Sequence, residues 1–149
     1  MRSLRVLVLL HPDLMPPDKI DGHSDKEIDT WKTEYDVVST LRASGHEVKP
    51  LGVQDELKPI RDAVEEFKPH VVFNLLEEFH GEVAYDQNVA SYLELMRVPY
   101  TGCNPRGLML ARGKDLSKTW CTTIGSRFRP SRFSRSTARS GARSVSPCR

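Results

Sequence analysis

The sequence predicts an α/β domain in which helices cover both faces of an open parallel sheet. Short apolar segments suited to buried strands alternate with longer segments in which apolar residues recur every three or four positions. The first apolar segment, LRVLVLL at 4–10, is nearly continuous, as expected of a central strand covered on both sides. Because helical crossovers join parallel neighbours, successive strand–helix units predict a parallel sheet.

The first helix is predicted to begin at Ser24, after a proline-rich loop at 11–17. Ser24 is a favourable N-cap, and Glu27, three residues on, completes a capping box. Gly45 ends this helix, as a glycine in that position commonly does. The predicted buried face comprises Ile28, Trp31, Tyr35, Val38 and Leu41.

The same alternation continues along the chain. A second strand is predicted at 46–51, near the sheet edge, because Pro50 cannot donate a ladder hydrogen bond. A third, buried strand is predicted at 71–73, and a short fourth strand with its turn at 99–102. The second helix is marked by Leu57, Ile60, Val64 and Phe67. The third is marked by Val83, Val89, Tyr92, Leu93, Leu95 and Met96.

The charge of the chain divides it into two unlike parts. The 149 residues suffice for one domain with a substantial core. No Asp or Glu follows Asp115, whereas seven arginines lie between Arg127 and Arg149. Without those seven arginines the chain has 15 basic and 20 acidic residues, so the formal net charge changes from +2 to −5. The larger part therefore has the composition of a mildly acidic soluble protein.

Cysteine usage and hydropathy favour a cytoplasmic location. The cysteines are odd in number and lack paired spacing, which argues against a disulfide framework and a zinc ribbon. The apolar N-terminal segment is short, is interrupted by Arg5, and lacks the cleavage site of a signal peptide. No apolar run has the length of a membrane span. Cys103 has no Cys–His signature around it, so a small buried thiol is expected there.

The segment 126–149 is almost wholly Ser, Arg, Pro, Ala, Thr and Gly, a composition that predicts disorder. Two explanations stay open for it. A frameshift in a GC-rich gene would produce such a composition. Alternatively, a genuine basic tail would contact nucleic acid through its phosphates.

A binding site is predicted within the segment 69–118. The strand at 71–73 ends in Asn74 and an acidic loop that contains His80. Open α/β sheets usually bind ligands at the carboxyl ends of their strands. No G-x-G-x-x-G follows the first strand and no P-loop occurs, so a dinucleotide or Walker-type site is not expected. Asn104 is predicted to cap one further helix, and another begins near Lys114.

Several motifs in this segment resemble, in order and spacing, the N-terminal (pre-ATP-grasp) domain of D-alanine–D-alanine ligases and related ATP-grasp enzymes. The matching residues are Phe73-Asn74, His80-Gly81-Glu82, Gln87, Leu93-Glu94-Leu95, Pro99-Tyr100-Thr101-Gly102, Lys114 and Lys118. The usual acidic–Gly step after the Glu is replaced by the segment 83–86, and Lys26 stands where the family's substrate-contacting Glu falls. The resemblance covers residues 1 to roughly 120.

The resemblance implies a Rossmann-like pre-ATP-grasp domain at 1–120 and a basic tail at 121–149. The parent enzyme would use ATP and Mg²⁺ to join a carboxylate to an amine, in peptidoglycan biosynthesis. His80 and Glu82, with Glu27, would bind its small amino-acid substrate, and Lys114 would approach the nucleotide phosphates. The family's glycine-rich loop, adenine pocket and magnesium ligands do not follow in this sequence. The chain alone is therefore expected to bind neither ATP nor Mg²⁺ and to lack ligase activity, and the family implies a homodimer.

Other interpretations of these residues stay open. Glu27 can be a helix cap only, and His80 a loop histidine hydrogen-bonded to a neighbouring carboxylate. Lys114 and Lys118 can be a solvated helix face. The acidic loop can be solvated or can hold a metal, although no second His or Cys at a ligand-like spacing favours a metal. The whole chain can instead be a non-catalytic α/β module, either a scaffold or one whose tail contacts nucleic acid; a membrane partner is not expected.

Overall fold

Three parallel strands form the centre of the protein. The structure, a computed structural model, describes residues 3–123 except for Lys19, Asp21 and His23. The central strand β1 (Arg5–Leu10) has β2 (Glu47–Gly52) on one side and β3 (Val71–Asn74) on the other. Both pairings are parallel, which confirms the predicted open parallel sheet. The strand that contains Pro50 lies at an edge of the sheet, as predicted.

Both faces of β1 are covered, so residues 6–10 are buried throughout. Side chains alternate between the two faces of a strand. Leu9 belongs to a buried cluster with Ile60 and Leu93 on one face, and Val8 belongs to a second cluster with Val38 on the opposite face. The nearly continuous apolar run that predicted a central strand thus fills two separate layers of core.

Helices pack on both sides of the sheet. The helices of the described residues are α1 (Asp25–Ala43), α2 (Lys58–Phe67), α3 (Asp86–Leu95), α4 (Pro105–Arg112) and α5 (Lys114–Thr123). The first covers one face of the sheet, and the next two contribute to the core of the other face. None of the helices in the described ranges is both long and apolar enough to cross a membrane.

The predicted domain boundary at residue 120 falls within a helix. The last described helix, α5, extends past that position to Thr123. The rest of the predicted basic tail, 124–149, lies outside the described residues.

The predicted apolar face of the third helix is partly wrong. The segment Val83–Tyr85 forms a separate 3-10 turn, and Val83 is 48% exposed. Leu95, at the end of α3, is 80% exposed. Because each helical residue turns the side-chain direction by about 100°, Leu95 points away from the face on which Leu93 is buried. The buried apolar face of α3 is instead formed by Val89, Ala90 and Leu93.

The predicted fourth strand is reduced to one parallel bridge between Val72 and Tyr100. The Val72 N–H donates to the Pro99 carbonyl (2.8 Å), and the Thr101 N–H donates to the Val72 carbonyl (2.9 Å). The pairing stops there because Pro99 has no N–H to donate and Gly102 turns the chain at a φ of 105°.

Tyr100 provides a test of this packing, because burial raises the pKa of its phenol to about 12 and a hydrogen bond to Glu94 adds to the effect. The phenol O–H donates to Glu94 Oε1 at 2.9 Å. Because the pKa of Tyr100 is raised in the folded state, its neutral phenol stabilises the fold below pH 10.0. This contribution to stability is lost as the pH rises towards about 12. We expect Glu94→Gln to lower the Tyr100 pKa, measured by ultraviolet absorbance of phenolate during an alkaline titration.

All four tyrosines of the chain contribute phenolate absorbance to such a titration. The Tyr100 signal is therefore obtained by subtracting the curve of Tyr100→Phe. Glu47→Gln, on the strand at the other edge of the sheet, controls for loss of a charge. An unchanged Tyr100 curve in Glu94→Gln would show that the hydrogen bond does not contribute to the shift.

Candidate functional site

A cleft of about 390 Å³ lies where β1 and β3 end. The chain passes from β1 to β2 on one side and then crosses to β3 on the other side, so the connections diverge between β1 and β3. Such a topological switch point is the usual ligand site of an open α/β sheet. The lining residues of the cleft are His11, Asp13, Leu14, Glu34, Leu75, Glu77 and Glu78.

His11 follows β1 directly and forms one wall of the cleft. Its Nδ1 accepts a hydrogen bond from the Asp13 N–H (3.3 Å), which caps the 3-10 turn Pro12–Leu14. In a neutral ring, a proton on Nε2 leaves Nδ1 free to accept this bond. His11 Nε2 lies 3.7 Å from Glu78 Oε1, so the ring links the loops that follow β1 and β3.

Glu34 brings a buried carboxylate to the cleft from α1. It is 8% exposed and lies on the same helix face as Trp31 and Val38. Within the described part of the chain it has no hydrogen bond or ion pair. No side-chain oxygen or nitrogen of the described residues is both enclosed and without a partner, so the Glu34 oxygens reach the solvent of the cleft. A carboxylate that a buried helix face directs into a cleft is a candidate for function.

Sequence reasoning missed Glu34, although a signal was present. Glu34 is three residues after Trp31 and four before Val38, so helical spacing places it on the buried face. A carboxylate at a core position of an amphipathic helix is the pattern that could have identified it.

The acidic loop after β3 contains a tight hairpin turn. Phe79 and Glu82 form an antiparallel bridge, with N–H to carbonyl hydrogen bonds of 3.2 and 3.1 Å. The two residues between them, His80 and Gly81, have positive φ values of 58° and 72°. Positive φ at both central positions is the pattern of a type I′ turn. The His80 N–H also donates to the Gln54 carbonyl, which anchors the turn to the loop after β2.

The predicted substrate residues His80 and Glu82 therefore lie at the tip and base of one turn. Both are exposed, and neither is among the residues that line the cleft. The structure places them next to each other but not next to the residues at the end of β1. Their role in binding substrate stays a prediction.

Glu27, the third predicted substrate residue, completes a capping box. Its carboxylate accepts hydrogen bonds from the Ser24 N–H (2.8 Å) and the Ser24 hydroxyl (2.9 Å). The Ser24 hydroxyl in turn accepts from the Glu27 N–H. The predicted capping box is confirmed, and a substrate role for Glu27 stays a prediction.

An ion pair that the sequence did not reveal supports the acidic loop. Asp86, at the start of α3, is 5% exposed and pairs with Arg112 at the end of α4. Arg112 Nη2 and Nε lie 2.5 and 3.2 Å from the two carboxylate oxygens, and Nη2 also donates to the Glu77 carbonyl at 3.3 Å. The hydrogen bond to Asp86 raises the pKa of Arg112. Arg112 thus connects two helices to the loop that lines the cleft.

Several curated proteins with sequences similar to this chain are D-alanine–D-alanine ligases. No protein-family model matches the chain. A D-alanine–D-alanine ligase from Aquifex aeolicus is 35% identical over 102 residues, which cover 68% of this chain. The chain is related to the D-alanine–D-alanine ligases. A ligase of that name from a Chelativorans species is 34% identical over 85 residues, and D-alanine–D-alanine ligase B of Brucella suis is 33% identical over 95.

These matches confirm the resemblance to ligases found from the motifs of this chain. The matched segments span only 33%, 26% and 29% of the lengths of the three ligases. The similarity is therefore limited to about a third or less of the length of each ligase.

Lys114, which the ligase resemblance assigns to the phosphates, is the first residue of α5 and is exposed. Lys118 lies one turn later and is also exposed, so both lysines are on one face of the helix, as predicted. A contact with nucleotide phosphates stays a prediction for Lys114.

The described residues do not fit a metal ion. Among them, no group of three or more His, Cys, Asp or Glu side chains is arranged to hold one. Cys103 is exposed, so the expected buried thiol is wrong. Its position explains this exposure, because Cys103 lies on the turn between Gly102 and the cap residue Asn104 rather than on a helix or strand that faces the core.

Proposed function

We propose that this chain is the N-terminal, substrate-side part of an ATP-dependent carboxylate–amine ligase of the D-alanine–D-alanine ligase type. The supporting observation is a polar cleft at the switch point of a parallel sheet, in a chain related to ligases of that name. On this proposal residues 1–120 form the pre-ATP-grasp domain, and the chain alone is inactive. The parent enzyme would act in the cytoplasm, in peptidoglycan biosynthesis, and as a homodimer.

The parent reaction activates one carboxylate with ATP and then joins it to an amine. ATP and Mg²⁺ would supply the phosphoryl group and the charge neutralisation that this reaction needs. On this proposal ATP and Mg²⁺ would bind mainly to the part of the parent ligase that this chain does not match. Lys114 is the one residue of this chain that we assign to the phosphates.

The task of this chain would be to hold the first substrate at the strand ends. On this proposal the His80 ring would donate a hydrogen bond to the substrate carboxylate. Glu27 would approach the substrate from the start of α1, where its carboxylate already binds Ser24. Binding of the substrate by charged groups that are fixed by a turn and a cap would reduce the entropy lost on binding.

Calorimetric titration of the full chain with D-alanine tests this proposal. We expect saturable binding that His80→Asn weakens by about 10-fold or more, because a charged hydrogen bond is lost. Asn tolerates the positive φ of position 80, so the turn is retained. We also expect no ATP consumption with D-alanine. Glu47→Gln, at the opposite end of the sheet, is the control.

Two outcomes would contradict the proposal. One is ATP turnover with D-alanine by this chain alone. The other is D-alanine binding that His80→Asn and Glu82→Gln leave unchanged.

The origin of the basic tail is tested at the level of DNA. The coding DNA from codon 115 onwards is re-sequenced and translated in all three frames. If another frame continues with apolar strands, a glycine-rich loop and acidic metal ligands, the tail is a frameshift product. If no other frame continues, the seven arginines between Arg127 and Arg149 support the second candidate, a module that binds nucleic acid. Binding that falls steeply with salt and disappears on deletion of 126–149 would establish it.

A further inference from the structure

We propose that Arg112 is a positioning residue that fixes the acidic loop, residues 75–82, against the edge of the cleft. The inference rests on the proposed function, which assigns this loop to substrate binding. It extends that function to a residue outside the ligase motifs found in the sequence. Arg112 would hold the backbone of the loop and would not touch the substrate itself.

The acidic loop carries side chains on which substrate binding would depend. His80 and Glu82 belong to its turn, and Glu77 and Glu78 line the cleft. The positions of all four side chains therefore depend on one short stretch of backbone. A binding site on a loop is accurate only where rigid elements hold that backbone.

Two backbone hydrogen bonds attach the ends of the loop to the sheet. The Leu75 N–H donates to the Leu9 carbonyl at the end of β1 (2.9 Å). The His80 N–H donates to the Gln54 carbonyl after β2 (2.6 Å). Residues 77 and 78 lie between these two attachments, so their positions depend on other contacts.

Arg112 provides a contact at this middle part of the loop. Its Nη2 donates to the Glu77 carbonyl at 3.3 Å. Within the described part of the chain, this is the only hydrogen bond to the backbone of residues 77 and 78. A terminal guanidinium nitrogen carries two N–H groups, so Nη2 can donate to Glu77 and to Asp86 at the same time.

Asp86 fixes the direction of the Arg112 guanidinium. Nε and Nη2 contact the two carboxylate oxygens, a side-on arrangement that restricts rotation of the group. Asp86 is itself held at the start of α3, where its Oδ1 also accepts from the Gln87 N–H at 2.6 Å. The second N–H of Nη2 is thereby directed at the loop.

The charge of Arg112 acts in the same direction as its hydrogen bonds. The hydrogen bond to Asp86 is the main cause of the raised pKa of Arg112, and the charges of Asp86 and Glu77 add to it. The guanidinium therefore stays positive beside a loop that is rich in carboxylates. An apolar side chain could fill this space but could not supply the directed bond to the Glu77 carbonyl.

The double variant Asp86→Asn with Arg112→Met separates positioning from stability. Replacing both partners of a buried ion pair with uncharged side chains often changes stability little, because no charge is left unpaired. We therefore expect a urea midpoint close to that of the unsubstituted chain. The Glu77 carbonyl nevertheless loses its donor, so a role in positioning predicts a looser loop in a stable protein.

Amide hydrogen exchange of the full chain, followed by NMR, measures the loop directly. We expect the amides of Phe79, His80 and Glu82 to exchange at least about 10-fold faster in the double variant, because a hydrogen bond from a charged group is lost. The amides of β1 should change by less than about twofold, since they belong to the core. A residue that acts only on global stability would not produce this local difference.

Calorimetric titration with D-alanine tests the consequence for binding. We expect the same double variant to bind D-alanine about 10-fold or more weakly, because the loop must first be ordered. The control is Arg61→Met with Glu65→Gln, which removes an exposed ion pair on α2. It should change loop exchange and D-alanine binding by less than about twofold.

Circular dichroism checks that each variant is folded. If Asp86→Asn with Arg112→Met does not fold, Arg112→Lys decides, with the same expected changes. Lys keeps a cation beside Asp86, but its ammonium group cannot reproduce the planar fork that reaches both Asp86 oxygens and the loop. Loop exchange that is unchanged in the folded variant, or that rises equally in the control, overturns the inference.

The two measurements separate this inference from the proposed function. D-alanine binding that His80→Asn weakens but Asp86→Asn with Arg112→Met leaves unchanged would keep the proposed function and overturn the inference. If the unsubstituted chain does not bind D-alanine, the proposed function is contradicted, whereas faster loop exchange in the double variant would still support the role of Arg112.

Discussion

Leu9→Ala is expected to lower the free energy of unfolding by about 3–5 kcal/mol, the largest effect of a single change that we anticipate. Leu9 is fully buried near the carboxyl end of β1 and shares a cluster with Ile60 and Leu93. The loss combines the lost transfer of the removed atoms from water with the cavity that remains. Urea unfolding measures it, with a lower midpoint and an unchanged slope.

Leu95→Ala is the matched control for Leu9→Ala, because it removes the same atoms from a side chain that is 80% exposed. The sequence pattern alone placed Leu95 on a buried face, so the pair also tests the corrected orientation of α3. We expect a change within about 0.5 kcal/mol. Similar losses in the two variants would mean that Leu95 is buried in solution.

Arg112→Met is expected to destabilise the protein by more than the loss of an exposed ion pair does, because it leaves the Asp86 carboxylate buried without its partner. Asp86 is 5% exposed, and both of its carboxylate oxygens contact the Arg112 guanidinium. Most of the lost stability should return in the double variant Asp86→Asn with Arg112→Met, since the unpaired charge is then absent. Urea unfolding of the two single variants and the double variant gives the coupling energy.

Arg61→Met is the control for Arg112→Met. Arg61 pairs with Glu65 at 2.9 Å, but both side chains are more than half exposed. An exposed pair of this kind contributes little to stability. If Arg112→Met cost no more than Arg61→Met, the Asp86 carboxylate would have to gain water or another partner in the variant.

The sequence predicted the architecture where local pattern and tertiary packing agree. The run at 4–10 required burial on both sides, and β1 lies between two layers of core. Ser24 and Glu27 are three residues apart, so their capping box depends on local geometry alone. Pro50 has no N–H to donate to a neighbouring strand, and this missing donor predicted that its strand lies at an edge of the sheet.

Prediction from the sequence failed where the structure depends on contacts between residues that are far apart in the sequence. Asp86 and Arg112 are 26 residues apart, and no local periodicity pairs them. Tyr100 pairs with Val72 at a single bridge, since Pro99 and Gly102 limit the fourth strand on either side. Glu34 was missed because its place in a cleft depends on loops that are distant from it in the sequence.

The edges of the sheet also affect how the protein can associate with itself. On the β3 side, Val72 has both backbone groups bound by residues 99–101, and the Asn74 N–H donates to the Thr101 hydroxyl at 3.2 Å. On the β2 side, Pro50 interrupts the row of donors. Both margins are thus poor templates for a further strand, so growth of the sheet into a cross-β aggregate is disfavoured while the fold is intact.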